Sequence, residues 1–417
     1  MAELQSDQPT QPALSDKRER ALLWLLAFTQ FTVITDFVIM MPLGPQIMEA
    51  FSVGPAAFAS AVSAYSWCSG LSGLLSATYI DRFDRKRMLL VVYALFALSN
   101  LGCALASSFS LMVLSRAFAG FTGGVMGALV MAIVADVIPA QRRGAATGLI
   151  MTAFPMAAVA GVPLGVFLGA HHGWQSPFYV LVLVSVLIWV IARYALPRLN
   201  AHLAQRRVPM AEVLPQLWAL LKEPRHLRAF ALSGPMMMSG MLVIPFISPV
   251  FVANLNLKPE DLSWVYMAGG LATLFTARAV GRLSDRYGAV RVFRVLALVS
   301  ALPLVAVTYL PAWPLWGLML FFPLFMVPVS GRVIPMQALL STVPAMAQRG
   351  AFMSVNNAIQ SLGVGCAVWV GGLLLSNGPG GRVEGYHLNG WLALALTAWA
   401  MLWIGRVRPA RPGVDVH

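Results

Sequence analysis

The sequence predicts an all-α integral membrane protein with twelve transmembrane helices in two pseudo-symmetric six-helix bundles. Three observations carry this expectation. Of the 417 residues, 59% are hydrophobic and 11% charged, with a mean hydropathy of +0.74, whereas soluble domains are about 25% charged. The apolar residues fall in long runs, and a span plus its connection uses about 35 residues, which leaves room for about twelve. Two polar motifs also repeat at nearly the same interval, 204 and 206 residues. A soluble enzyme, a disordered tail protein and a single-span receptor are excluded by the same composition.

Apolar runs between polar breaks place the spans in order. The first six are expected at Ala21 to Ile47, Ala57 to Ile80, Met88 to Ala106, Ser110 to Asp136, Gly144 to Ala170 and Ser176 to Leu196. Six more follow a basic connector, at Leu227 to Ala253, Leu262 to Leu283, Val290 to Leu310, Trp313 to Leu340, Gly350 to Leu375 and Leu388 to Ile404. The runs are continuous, as spanning helices require, whereas barrel strands alternate over about ten residues. The expected organisation is a tail over 1–20, a bundle over 21–196, a linker over 197–226, a second bundle over 227–405 and a tail over 406–417. Residues 1–20 are polar and lack the apolar core and cleavage site of a signal peptide, so the first span is expected to be retained. Cys68, Cys103 and Cys366 each lie in an apolar run without a CxxC pairing and are read as packing residues.

The net charge of +13 would point to nucleic acid in a soluble chain. Placement argues otherwise. Of 29 Lys and Arg residues, 24 fall on alternate connections that share one side, while the opposite connections hold Lys258 and Arg382. Basic residues accumulate on the cytoplasmic side, so both termini and the linker are expected there and no nucleic-acid partner is expected. Arg116, Arg278 and Arg332 lie within or at the edge of spans.

The repeated motifs are Asp81-Arg82 after the second span and Asp285-Arg286 after the eighth, then Arg143-Gly144 after the fourth and Arg349-Gly350 after the tenth. Such spacing indicates two homologous halves. On these residues the chain resembles the major facilitator superfamily, and within it the twelve-span drug/proton antiporters, over nearly its whole length. The family's loop signature G-x-L-x-D-R-x-G-R-K is matched well by Gly281 to Gly288. Ala77 to Lys86 match it less completely: Ala77 and Asp84 replace glycines, while Asp81, Arg82, Arg85 and Lys86 agree. Arg116 and Gly120 resemble the fourth-span signature R-x-x-x-G. Gly161, Pro163 and Gly165 resemble the antiporter signature G-x-x-x-G-P-x-x-G, with Ala157 and Val162 replacing its first glycine and the residue before proline.

The resemblance implies a major facilitator fold without enzymatic activity. It also implies a conformational charge network of Asp81, Arg82, Arg85, Lys86, Asp136, Arg143, Asp285 and Arg286, in which Asp81, Arg82 and Asp136 are linked across the cytoplasmic gate. The expected partners are a small-molecule substrate, protons and membrane lipids. No cofactor or metal is expected; the proton gradient supplies energy to a monomer in a bacterial cytoplasmic membrane.

Of sixteen acidic residues, Asp36 alone falls well inside an expected span, and no histidine does. An ionisable group near a helix centre costs about 2.5–3.5 kcal/mol, which singles out Asp36 as a proton carrier with Arg116 as its partner. A depth difference of about 8 Å, at 1.5 Å per residue, is left for the long arginine to bridge. A static Asp-Arg clamp is the competing reading. Arg332 is expected to snorkel to the basic surface, to pair with Asp285, or to face an anionic substrate group.

Polar candidates for a cavity wall are Gln30, Thr32 and Tyr65 in the first half and Asn356, Asn357 and Gln360 in the second, since amides in apolar spans need partners. Met236, Met237, Met238 and Met241 crowd the seventh span. The expected activity is proton-coupled efflux of a small amphipathic, drug-like or sugar-like molecule by alternating access. The alternatives are uptake by proton symport or facilitated diffusion, and lipid or lysolipid flipping.

Overall fold

A computed structural model describes residues 16–139, 142–197, 199–200, 203, 215, 218–345 and 348–410, the side chains of Asp16 and Ala77 excepted. Most of the expected linker and the outer parts of both tails lie outside these residues.

Proline and glycine decide where the rods bend. The first rod is α1 (Asp16–Ile39), which ends before Pro42 and turns into the short α2 (Gly44–Phe51) with Pro45 in its first turn. The expected span to Ile47 is therefore broken, because Pro42 has no N–H to continue the ladder. Next come α3 (Pro55–Tyr79), α4 (Arg85–Ala104) and α5 (Phe109–Val137). The fifth rod is interrupted: α6 (Arg143–Met151), α7 (Ala153–Met156), a π-helical turn over Ala157–Gly161, and α8 (Val162–His172). The first half closes with α9 (Ser176–Ala195).

The second half repeats this order. It runs α10 (Pro224–Met241) with its continuation α11 (Ile247–Leu255), α12 (Leu262–Tyr287), α13 (Ala289–Ala306), α14 (Leu315–Gly331) with α15 (Val333–Leu340), α16 (Arg349–Leu373) and α17 (Tyr386–Trp403). Between α16 and α17, β1 (Ser376–Asn377) and β2 (Val383–Glu384) pair antiparallel.

Twelve helical rods are thus present among the described residues. Nine are long and apolar enough to cross a membrane, and α2 with α3, bent by 116°, would make a tenth. The remaining two, α12 and α16, have 26 and 25 residues, ample length at about 1.5 Å per residue. Their lower hydropathy comes from side chains such as Arg278 and Arg282 on α12 and Asn356, Asn357 and Gln360 on α16.

Close approach of rods depends on small residues, as in other membrane bundles. A β-carbon on Gly120 of α5 would sit 2.1 Å from the Tyr65 carbonyl oxygen of α3, and one on Gly124 would sit 2.2 Å from that of Ser69. On the fifth rod, Gly161, Gly165 and Gly169 meet Thr35, Ile39 and Leu43 in turn. The glycines are four apart on their rod and meet α1 at Thr35 and Ile39 and the turn beyond it at Leu43, so the stripe seats on α1 and its end.

The two halves share one apolar cluster at the end away from the termini, where Ile39, Leu43, Ile47 and Phe58 join Val243, Phe246, Phe251 and Leu262. Gly44 is pressed there against Phe58 and Pro249, and Gly372 against Ala59. The hairpin is fastened over the same end. Asn254 of α11 donates to the Val383 carbonyl and accepts from the Val383 N–H, both at 2.8 Å, while Asn377 lies against Gly54 of the first half.

At the end that carries the termini the core divides. Leu26, Tyr93 and Ile133 belong to a first-half cluster, and Phe230, Phe293 and Phe352 to a second-half cluster on which Leu74 of α3 also packs. Gly144, Gly148, Gly281 and Gly350 have nothing within 4 Å of where a β-carbon would stand. The protein is sealed at one end and open at the other, and the open end is the basic one.

Candidate functional site

Asp36 and Arg116 form the most deeply buried charge contact. Both side chains are 0% exposed, and an Arg116 Nη1–H donates to Asp36 Oδ1 at 2.5 Å. The Nη2 group also reaches the Asp36 carbonyl at 3.3 Å. The depth gap inferred from sequence closes because α1 stops at Ile39, which brings Asp36 near the sealed end and level with Arg116. The Tyr65 ring lies under the guanidinium, 4.5 Å from centroid to Cζ; Gly120 and Gly123 admit this ring, since β-carbons there would strike Tyr65 itself. Asp36 Oδ2 and Arg116 Nε have no hydrogen-bond partner among the described residues. A buried pair needs its remaining groups satisfied before attraction outweighs desolvation, and this pair is only half satisfied.

At the open end, Arg85 is the hub. Its Nε donates to Asp136 Oδ2 at 2.8 Å, one Nη to Asp81 Oδ1 at 2.6 Å and the other to the Ile80 carbonyl at 2.7 Å. The expected link of Asp81, Arg82 and Asp136 is corrected: Arg82 is exposed at the surface, and Arg85, the first residue of α4, joins the two aspartates. Asp84 sets this up by capping α4, accepting from the Arg87 N–H at 2.8 Å. Lys86 reaches the Leu196 carbonyl, and Arg143 bonds the Ile138 and Ala135 carbonyls that end α5, a favourable place for a cation. All these contacts stay within the first half. In the second half, Asp285 and Arg286 are exposed and form no ion pair among the described residues; the Arg286 guanidinium lies 5.3 Å from the Tyr287 ring centroid.

Arg332 departs from two of its three expected roles. It is 0% exposed, so it neither snorkels nor reaches the exposed Asp285. Its guanidinium donates to Ser300 Oγ at 3.2 Å, Thr397 Oγ1 at 2.8 Å and Ser239 Oγ at 2.7 Å. Three helices of the second half are tied to the α14–α15 break by this cage of hydroxyls.

The polar wall candidates separate into two groups. Thr32 bonds Tyr93 Oη at 2.8 Å, and Tyr65 reaches the Val33 carbonyl at 3.4 Å; both are packing contacts inside the first half. Gln30 is half-buried, shares a helical stripe with Ile34 and Phe37, and has an unpartnered Oε1. In the second half, Asn356 accepts from Ser233 at 2.7 Å, Gln360 accepts from Gln337 at 3.3 Å, and Asn357 is exposed. Gln337 and the hydroxyl cage escaped sequence reasoning, although a glutamine inside the apolar run from Trp313 to Leu340 was a usable signal. Met236 is buried, whereas Met237, Met238 and Met241 are half-buried against the sealed-end cluster. Cys103 is buried, but Cys366 is exposed on α16 and is not a packing residue.

Two six-rod halves with broken first, fifth, seventh and tenth rods, sealed at one end around buried charge, define a multi-pass membrane transporter. The sequence profile of the Major Facilitator Superfamily matches residues 26–238 and again 229–416, and the chain belongs to that superfamily; it is a transporter and not an enzyme. It is 22% identical to the uncharacterized MFS-type transporter YtbD of Bacillus subtilis, over 91% of this chain and 97% of that one. It is 26% identical to a probable sugar efflux transporter of Helicobacter pylori over 63% of this chain and 65% of that relative, just under two thirds of its length. The crystal structure of a D-xylose-proton symporter superimposes with a TM-score of 0.77 at 15% identity, covering 95% of this chain and 100% of that one.

Proposed function

We propose that the chain exports a small amphipathic, drug-like or sugar-like molecule from the cytoplasm in exchange for protons, by alternating access. The positive-inside bias supports a cytoplasmic position for the basic, open end; on that reading the sealed end is external and the state described is open inward. The observation that carries the reading is the Asp36 carboxylate, wholly buried with Oδ2 unpartnered while Oδ1 holds Arg116. A purely structural clamp gains nothing from that vacant oxygen, whereas a proton carrier uses it.

The cycle follows from charge balance. With Asp36 ionised and paired, the inward-open protein accepts substrate; after reorientation, a proton arriving from outside neutralises Asp36 and releases Arg116 from it. The return step delivers the proton to the cytoplasm and restores the pair. The name of the sugar efflux relative supports this direction.

The test is a metabolite and drug panel in proteoliposomes under an imposed pH gradient, with proton flux recorded alongside substrate. Exchange predicts opposite movement of proton and substrate, and loss of gradient-driven transport in Asp36→Asn with substrate-substrate exchange retained. Movement of both in the same direction would mean symport, and transport indifferent to the gradient would overturn the reading.

A further inference from the structure

We infer that Gln337, Gln360 and Asn356 form the recognition wall of the second half and select a neutral, polyhydroxylated substrate over a cationic or an anionic one. The inference rests on the transport path proposed above and names the ligand class it takes.

These amides are left incomplete in a specific way. Gln337 donates to Gln360 and leaves its own Oε1 without a partner, while Gln360 keeps an unpartnered Nε2. Asn356 accepts from Ser233 and keeps an unpartnered Nδ2. The wall therefore offers one acceptor and two donors, all buried; Gln360 is 8% exposed and Asn356 0%. Turning both glutamine amides over exchanges donor for acceptor between them and leaves the same mixture. Each orphaned buried polar atom costs about 1–3 kcal/mol, so a ligand that answers all three is favoured by their satisfaction.

Ligand chemistry decides which molecule does so. A hydroxyl both donates and accepts, an ammonium only donates, and a carboxylate only accepts. An ammonium would leave the two donors unanswered, and a carboxylate would leave the acceptor unanswered. A molecule with several hydroxyls completes the set. Formal charge points the same way: the second half's acids Glu260, Asp261, Asp285 and Glu384 lie near rod ends, Asp261 half-buried and the others exposed, and Arg332 is enclosed by its three hydroxyls. Gln337 is half-buried, so it is the member of the wall that reaches accessible surface. Gln30 of the first half supplies one further unpartnered acceptor.

The experiment uses the full chain in proteoliposomes with radiolabelled lactose and isopropyl thiogalactoside as neutral polyols, and tetraphenylphosphonium as a cation. Expected are saturable movement of at least one polyol and a KM raised about tenfold in Gln337→Met and Gln360→Met, equivalent to about 1.4 kcal/mol, with kcat within about twofold. Thermal unfolding of each variant near wild type excludes misfolding, and Gln360→Asn, which keeps the amide, retains more affinity than Gln360→Met. Unchanged KM in both methionine variants overturns the inference, as does transport of tetraphenylphosphonium with neither polyol moved nor bound. Polyol movement that depends on Gln360 but ignores the pH gradient overturns proton exchange and leaves this inference standing.

Discussion

Arg116 and Arg332 are equally buried, one in each half, and they are neutralised by different means. Arg116 has an anion, Asp36, at 2.5 Å. Arg332 has hydroxyl oxygens from Ser239, Ser300 and Thr397. Each of those hydroxyls already donates to a carbonyl of its own helix, of Met236, Ala297 and Ala393 respectively, and turns only lone pairs toward the guanidinium. Neither arrangement is the internal copy of the other: at the 204-residue interval, Asp36 corresponds to Gly240, Arg116 to Leu320 and Arg332 to Ala128. The duplicated scaffold has thus kept its rods and the break shared by the first and seventh, while its other breaks and its buried charge diverged. A partner that can itself gain a proton suits the proposed coupling, and a cage that cannot suits architecture.

Mutations separate the two. The largest effect is expected for Arg116→Met, which strands the Asp36 carboxylate and should lower stability by about 3–5 kcal/mol, read by thermal unfolding in detergent. Adding Asp36→Asn should restore most of that loss; no restoration would mean that the pair is not what Arg116 supports. Next is Gly120→Ala, whose β-carbon would fall 2.1 Å from the Tyr65 carbonyl oxygen. Overpacking there should lower stability by about 1–3 kcal/mol and shift Tyr65 off the guanidinium, seen as a change in tyrosine fluorescence.

Arg332→Met should be mild by contrast, within about 1 kcal/mol of wild type or above it. Its hydroxyl partners retain their own helix bonds, and exchanging a buried charge for an apolar chain is often neutral or stabilising. Unfolding of Arg332→Met as early as Arg116→Met would erase the distinction between the halves. Smallest is Asp81→Asn: the Asp81 side chain is 73% exposed, so water screens its contact with Arg85 and the expected loss is below about 1 kcal/mol, checked by the same melt at low and high salt.

Most of the rods were legible because a spanning helix is apolar over most of its length. The Asp36 and Arg116 contact was legible for a related reason: charge at depth is conspicuous against such a background. Three features were hidden. The α1 break at Pro42 looks, in sequence, like any proline near the end of a long run, yet it sets the depth of Asp36. Arg85 could not be preferred over Arg82, since the α4 cap at Asp84 decides which side chain turns inward. The hydroxyl cage of Arg332 draws on helices separated by up to 158 residues along the chain, between Ser239 and Thr397, and serine or threonine in an apolar run ordinarily bonds its own helix.

The β1 and β2 hairpin adds a consequence of another kind. It is held to α11 by both amide groups of Asn254 and rests through Asn377 on the Gly54 turn of the opposite half. In the proposed cycle, separating the halves at that end slides Asn377 off Gly54 in every turnover. An antibody fragment that bridges the hairpin and this turn therefore acts as a brake on the cycle, and its inhibition should be non-competitive because it never enters the path taken by the cargo.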